Sequence, residues 1–176
     1  MSPQQGSPTP FRRSYITRPF TRCIIEAMTH FSITVEIPAP PERVWAVLAD
    51  IERWSEWTPT VTRIQRLDRG PLAVGSRARI RQPKLPPATW QVSELQPGRS
   101  FTWITRSPGV CVTGEHGVEP AARGTRVMLS LRFSGVLGPL VARLTRGLNR
   151  RYLALEAKGL SERSTARQER LRCRIR

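Results

Sequence analysis

The sequence predicts an α+β protein in which a curved antiparallel sheet wraps around one long C-terminal helix. Three observations support this fold class. A strand and a helix open the regular part of the chain, six short segments of alternating apolar and polar residues follow, and a helical apolar stripe comes last. One-sided alternation with short connections is typical of antiparallel sheets with one solvated face. The long helix is then expected to cover the apolar face.

The first strand and helix have clear boundaries. Apolar and polar residues alternate from Phe31 to Ile37, and the prolines of residues 38–41 end the strand. Pro41 suits the first turn of a helix, where a missing N–H has no intrahelical partner to lose, and Glu42 complements the helix dipole. We expect this helix to run to about Trp54, with an apolar face formed by Val44, Leu48 and Ile51.

Six further strands follow, separated by turn residues. Proline and glycine stand where tight turns need them, as in residues 68–71, 96–99 and 107–109. The predicted strands cover residues 61–67, 75–82, 89–95, 100–106, 110–119 and 125–134.

The last element is a helix predicted from Pro139 to about Lys158. About 20 residues at 1.5 Å each span about 30 Å, enough to cross a whole sheet. Gly147 stands in its middle, where glycine costs about 1 kcal/mol relative to alanine. We therefore expect Gly147 to border a space beneath the helix, the alternative being a solvent-side position. The expected apolar stripe consists of Leu140, Val141, Leu144, Leu148, Tyr152 and Leu155.

Composition excludes several protein classes. The longest uncharged apolar stretch, residues 133–142, is far shorter than the roughly 18 to 20 residues of a membrane-spanning helix, so no transmembrane segment is expected. The three cysteines lack CxxC spacing and the two histidines allow no HExxH motif, so no metal site and no disulfide framework are predicted. No cofactor is expected. This cysteine usage suits a reducing compartment, and we expect a cytoplasmic protein.

Much of the positive charge lies in the two terminal segments, outside the predicted domain. The formal net charge is +16, of which residues 1–27 contribute +3 and residues 161–176 contribute +4. Residues 1–27 lack a periodic apolar face and are interpreted as a disordered extension, with Met28 as an alternative start of the protein. We expect a ligand-binding domain over residues 28–160 and a basic, disordered tail over residues 161–176.

Several runs carry a family resemblance. Residues 35–50, VEIPAPPERVWAVLAD, and residues 51–57, IERWSEW, resemble the opening of the START-like SRPBCC superfamily, in its polyketide cyclase/dehydrase and lipid-transport branch. Glu115-His116 through Glu119-Pro120, followed by residues 124–127, is similar to its late hairpin. The resemblance covers about residues 29–160. It implies a helix-grip fold with a hydrophobic ligand cavity between sheet and C-terminal helix.

The candidate site residues come from the inward strand faces and the long helix. His116 shares the parity of Val112 and Val118, which places an imidazole on the apolar face, either as a ligand contact or as a histidine satisfied within the core. Glu94 has the parity of Trp90 and could be a buried carboxylate, but a solvated strand end is the expected position. Glu115 has the opposite parity to His116 and is expected to face solvent, so the two should not form a pair. The predicted ligand-binding set is Trp90, Phe101, Trp103, His116, Leu144, Gly147 and Leu148, with His116 as the one candidate catalytic group.

Three functions remain open on this basis. The leading hypothesis is binding of a hydrophobic small molecule, aromatic, polyketide-like or lipid. The first alternative is a cyclase/dehydratase-type enzyme, which needs at least two convergent polar groups where the sequence offers only His116. The second is a basic interaction protein that binds nucleic acid or anionic surfaces through arginines such as Arg77, Arg79 and Arg81. Salt separates these hypotheses, because polyanion binding falls steeply with salt and apolar binding does not.

Overall fold

The computed structural model describes the backbone of residues 29–173 and the side chains of residues 29–166. The interpretation of residues 1–27 as an extension lies outside the described residues. In chain order the elements are β1 (Thr29–Ile37), α1 (Pro41–Ala49), a 3₁₀ helix (Ile51–Glu56), β2 (Arg63–Arg66), β3 (Arg77–Arg81), β4 (Ala88–Gln96), β5 (Ser100–Ser107), β6 (Val110–Ala121), β7 (Gly124–Ser134), α2 (Gly138–Leu144) and α3 (Arg146–Cys173).

The sheet has the antiparallel meander that the alternation predicts. In the described chain, seven strands follow the order β1-β7-β6-β5-β4-β3-β2, so only β1 leaves sequence order, by pairing with β7. Its inward residues form one apolar face against α1, the 3₁₀ helix and α3. The predicted α+β helix-grip architecture is confirmed.

The first helix is shorter than predicted. We expected it to reach about Trp54, but the α-helix ends at Ala49 and continues as the 3₁₀ helix. The last carbonyls of an α-helix lack intrahelical partners, and the Trp54 indole Nε1 donates to the Leu48 carbonyl at 3.0 Å. This turn places the Trp54 side chain in the core, where it is 2% exposed.

The predicted single C-terminal helix is interrupted at Thr145. The Thr145 hydroxyl donates to the Val141 carbonyl at 2.7 Å and accepts from Asn149 Nδ2 at 2.9 Å. A threonine hydroxyl that bonds back to the preceding turn bends a helix. The bend separates α2 from α3 and changes which side chains face the sheet. Among residues 146–166, the buried residues of α3 are Asn149, Tyr152, Leu153, Ala157, Gly159, Leu160 and Ser164.

The predicted end of the helix, about Lys158, is wrong. Helix α3 continues to Cys173, and Leu160 and Ser164 are fully buried. Arg163 donates to Glu56 of the 3₁₀ helix at 2.8 Å. The part of α3 after Lys158 is rich in charged residues, so its apolar pattern is weak in the sequence. It still forms a helix because one buried residue per turn is enough to dock it.

Glycine makes the contact between α3 and the 3₁₀ helix possible. A Cβ on Gly159 would lie 2.1 Å from the carbonyl oxygen of Trp57, so a larger residue cannot occupy this position without backbone movement. The glycine of this helix that marks a close approach is therefore Gly159, and not Gly147 as expected from the sequence.

Candidate ligand site between the sheet and α3

Four aromatic side chains form a cluster on the inner face of the sheet. Trp90 and Trp103 lie in adjacent strands with ring centroids 5.2 Å apart, and Phe101 contacts Trp103 edge-on at 5.5 Å. Trp54 of the 3₁₀ helix covers Trp103 at 5.1 Å. Three of the four, Trp90, Phe101 and Trp103, belong to the predicted ligand-binding set, and the structure brings them together.

Gly114 of β6 makes room for this cluster. It lies directly opposite Trp103 in the β5–β6 register. A Cβ at Gly114 would lie 2.5 Å from the Trp103 indole nitrogen and 3.6 Å from the Trp90 ring. The indole of Trp103 therefore lies flat over β6, because the strand carries no side chain there.

His116 lies within the same cluster. It is 5% exposed, and its imidazole stacks on the Phe101 ring with centroids 4.4 Å apart and planes 10° apart. Trp54 and Trp103 flank it at 5.3 and 5.4 Å. The parity argument that placed His116 on the inner face agrees with this arrangement.

Glu156 of α3 is the polar partner of His116, and the sequence analysis missed it. Its Oε1 lies 3.1 Å from His116 Nε2, and both side chains are largely buried. One signal for this residue was available: Glu156 stands three residues after Leu153 and four before Leu160, on the buried stripe of α3. The predicted apolar stripe did not include Glu156, because it assumed a helix that continues through Thr145 without interruption.

The second imidazole nitrogen has no partner. His116 Nδ1 is buried, and no atom of the described residues hydrogen-bonds to it. Leaving a buried polar nitrogen unpaired costs about 1–3 kcal/mol. The arrangement thus offers one hydrogen-bonding position inside an apolar, aromatic environment.

The three predicted helix residues lie apart from this cluster. Leu144 is 76% exposed at the end of α2. Gly147 is exposed, and a Cβ there would meet no atom within 4 Å, so the expectation that it borders a space beneath the helix is wrong. Leu148 is half-buried. The bend at Thr145 accounts for all three positions, since the predicted stripe assumed one continuous helix.

The two acidic candidates of the sheet face outward. A β-bulge between Val92 and Glu94 changes the phase of β4, so that Leu95 lies opposite Phe101 and Glu94 is exposed. Glu115 also points away from the inner face, where it bonds Arg132 at 3.0 Å and Ser130 at 3.1 Å. A Glu115–His116 pair is therefore excluded, as the parity predicts.

Helix α3 is tied to the loop between β3 and β4. The Tyr152 hydroxyl donates to the Pro83 carbonyl, and burial raises the pKa of this phenol above its ordinary value. The phenol therefore stays protonated at neutral pH and acts as a donor, which holds α3 across the inner face.

The outer face of the sheet is basic at its β2–β3 edge. Arg77, Arg79 and Arg81 are exposed on β3, and Arg63 of β2 lies directly opposite Arg81. Arg66, by contrast, pairs with Asp68 at 3.0 Å through its Nε.

Among residues 29–166, no cluster of three His, Cys, Asp or Glu side chains suits a metal ion. No helix in the described part of the chain is long and apolar enough to cross a membrane.

Comparison with solved structures supports the fold. TTHA0849 from Thermus thermophilus is 23% identical with a TM-score of 0.63, over 78% of this chain and 98% of that chain. The Zhui aromatase/cyclase from Streptomyces sp. R1128 is 22% identical with a TM-score of 0.60, over 85% and 97%. Norcoclaurine synthase from Thalictrum flavum is 12% identical with a TM-score of 0.65, over 81% and 97%.

Sequence comparisons identify the family. A search of curated proteins finds no significant match. The family model described as polyketide cyclase/dehydrase and lipid transport matches residues 28–165, which include every element from β1 through most of α3. The chain therefore belongs to the polyketide cyclase/dehydrase and lipid transport family.

Proposed function

We propose that this protein binds an aromatic or polyketide-like small molecule on the inner face of the sheet, with His116 as its polar contact. The family supports a hydrophobic ligand or a cyclase-type role. The observation that carries the proposal is the unpaired Nδ1 of His116 within an aromatic cluster. Flat aromatic rings suit the offset stacking that Trp90, Phe101 and Trp103 offer.

The His116–Glu156 contact determines what kind of ligand fits. In the pairing we propose, Glu156 accepts a hydrogen bond from Nε2 of a neutral imidazole, and Nδ1 then keeps its lone pair. An acceptor at Nδ1 selects a ligand that donates, such as a phenol or an enol. We therefore propose a hydroxylated aromatic ligand in preference to a simple hydrocarbon.

Ligand entry requires side-chain movement. Because His116 Nδ1 is fully covered in this structure, a ligand reaches it only when one of the surrounding rings moves aside. Trp103 is a candidate for this movement, since its indole nitrogen lies over Gly114, where β6 carries no side chain.

A cyclase/dehydratase activity is the second candidate function, and Glu156 favours it. The sequence analysis required two convergent polar groups, and His116 with Glu156 form such a pair. In this reaction Nδ1 would remove a proton from a carbon between two carbonyls, while Glu156 stabilises the imidazolium. The resulting enolate carbon would attack a ketone carbon of the same chain, whose oxygen takes back the proton from the imidazolium and becomes a hydroxyl. Nδ1 would then remove the remaining α proton, the C=C bond would form, and the hydroxyl would leave with that proton as water.

The binding proposal is tested with 1-naphthol and naphthalene as probes. We expect wild type to prefer 1-naphthol by about tenfold, as one buried hydrogen bond of roughly 1.4 kcal/mol predicts. The single variant His116→Phe and the double variant His116→Phe/Glu156→Leu should both abolish this preference. The matched control His30→Phe, at an exposed position of β1, should keep it. An unchanged preference in both variants would refute the proposal.

Turnover is tested separately with a linear poly-β-ketone. A product lighter by one water, formed by wild type and His30→Phe but not by His116→Phe, would support the enzyme hypothesis. Binding without any such product would contradict the enzyme hypothesis and support ligand binding as the function. Native mass spectrometry of the purified protein would reveal the mass of a co-purified ligand.

A further inference from the structure

One face of helix α1 borders a pocket, separate from the face that packs on the core. Val44 and Leu48 face the core, whereas four residues spaced at helical intervals line a pocket of about 490 Å³ between α1 and the last described turns of α3. Small-molecule sites in proteins typically measure about 300–1,000 Å³. The lining residues are Arg43, Ala46, Val47, Asp50, Arg53, Trp57, Arg163 and Ala166.

The pocket exists because α3 continues past residue 160. Arg163 and Ala166 form one wall, and the contact of Gly159 with the Trp57 carbonyl sets the distance between the two sides. Ala46 and Ala166 carry the smallest side chains among the lining residues, so they take up little of the space. Val47 and Trp57 supply apolar surface.

The charges around this pocket leave one guanidinium unmatched. Arg53 and Arg163 both bond Glu56, each at 2.8 Å. Arg43 has no carboxylate within 4.0 Å among residues 29–166, and its Nη1 is buried without a hydrogen-bond partner there. The indole Nε1 of Trp57 is likewise buried and unpaired within that range. Unpaired buried donors, one of them charged, favour binding of an acceptor.

We propose that this pocket binds a small apolar monoanion, a carboxylate attached to an aromatic or short alkyl group. The carboxylate would pair with the guanidinium of Arg43, whose planar donors match its geometry. The apolar part would lie against Val47 and Trp57. A single negative charge fits because three guanidinium groups stand against two carboxylates, Asp50 in the lining and the Glu56 that Arg53 and Arg163 share, which leaves a net charge of +1. This ligand class differs from the hydroxylated aromatic proposed for His116.

The chain's own terminal segments are poor occupants on charge. Residues 1–27 carry four Arg and one Glu, and residues 167–176 carry five Arg and one Glu. Both segments would add positive charge beside Arg43, which repulsion disfavours.

The test titrates 1-naphthoate and the neutral methyl 1-naphthoate, which has no hydroxyl to donate to His116, into the full chain and maps the backbone amide shifts by NMR. We expect naphthoate to shift residues 43–50 and 163–166 and to bind about tenfold more tightly than the neutral analogue. Arg43→Gln should remove this advantage, and Ala46→Leu, which fills the pocket from an exposed helix position, should weaken naphthoate by at least tenfold. The matched controls Arg150→Gln and Ala154→Leu, both exposed on α3, should change neither value.

Three outcomes would overturn the proposal. Naphthoate affinity that Ala46→Leu leaves unchanged would place the anion elsewhere, and equal affinity of the neutral analogue would show that Arg43 does not select charge. Shifts confined to the strands around His116 would also refute it. Because His116→Phe leaves this pocket intact, failure here and failure of the naphthol experiment are distinguishable.

Discussion

Replacing Gly159 with alanine should destabilise the protein, although the same change at Gly147 should stabilise it. Both residues lie in α3, so alanine brings the same gain in helix propensity at each, about 1 kcal/mol. At Gly147 a Cβ meets no atom within 4 Å, and the gain is realised in full. At Gly159 the Cβ would stand 2.1 Å from the Trp57 carbonyl oxygen and 3.1 Å from its carbon.

The loss of stability expected for Gly159→Ala depends on which atoms have to move to make room for the Cβ. The 2.1 Å separation is more than 1 Å short of the 3.4 Å at which such a contact becomes ordinary. The obstacle is backbone, and it lies between the buried side chains of Trp54 and Thr58, so no flexible side chain can relieve the overlap. Overpacking of this kind costs about 1–3 kcal/mol, and more where the backbone resists. After the propensity gain, we expect Gly159→Ala to lose about 1–2 kcal/mol.

Urea and thermal unfolding followed by circular dichroism measure both effects. For a protein of this size, 1 kcal/mol corresponds to about 2–4 °C in Tm. Gly147→Ala should therefore melt about 2–4 °C above wild type, and Gly159→Ala about 2–8 °C below it. Equal stabilisation by both substitutions would refute the close contact of α3 with Trp57. Destabilisation by Gly147→Ala would refute the exposed position of Gly147.

Three further predictions concern other contacts. A chain that ends after residue 160 loses the buried Ser164, so we expect urea denaturation to show a free energy of unfolding about 1–3 kcal/mol below that of a chain ending after residue 166; equal values would show that residues 161–166 add nothing to stability. Hydrogen bonds from the Arg77 backbone N–H and the Arg66 guanidinium hold the pKa of Asp68 below its ordinary 3.8. That stabilisation is present above the ordinary value and is lost as pH falls through the lowered one, so acid titration of wild type should show a loss that is absent in Asp68→Asn. A double-mutant cycle of His116→Phe and Glu156→Leu should give a coupling free energy of about 0.5–3 kcal/mol, and a value near zero would show that the pair is not coupled.

Local patterns explain the parts of this fold that sequence predicts. Each strand was visible because alternation has a period of two residues, and antiparallel neighbours need only short turns. The same parity argument put His116 inward and Glu115 outward, as the structure has them. The family could be identified from residues 35–57, where the end of β1, α1 and the 3₁₀ helix lie close together in the chain.

Predictions of which side chains face inward fail where a local irregularity breaks the regular period of a strand or a helix. The bulge between Val92 and Glu94 turns outward a carboxylate that parity alone would place inward, and the hydroxyl of Thr145 bends a helix whose predicted stripe assumed an uninterrupted period. In both places a single hydrogen-bonding irregularity shifts every later side chain on the element.

The sequence by itself determined the fold class, the order of the elements and the inward position of the aromatic residues and His116. Tertiary structure alone decided that Glu156 meets His116 across 40 residues of chain, and that α3 and α1 enclose a pocket beside Arg43. The physical reason is that periodicity shows which side of an element is buried. The partner of a buried side chain depends on how closely and at what angle two elements pack, and here the contact of Gly159 with Trp57 sets that distance.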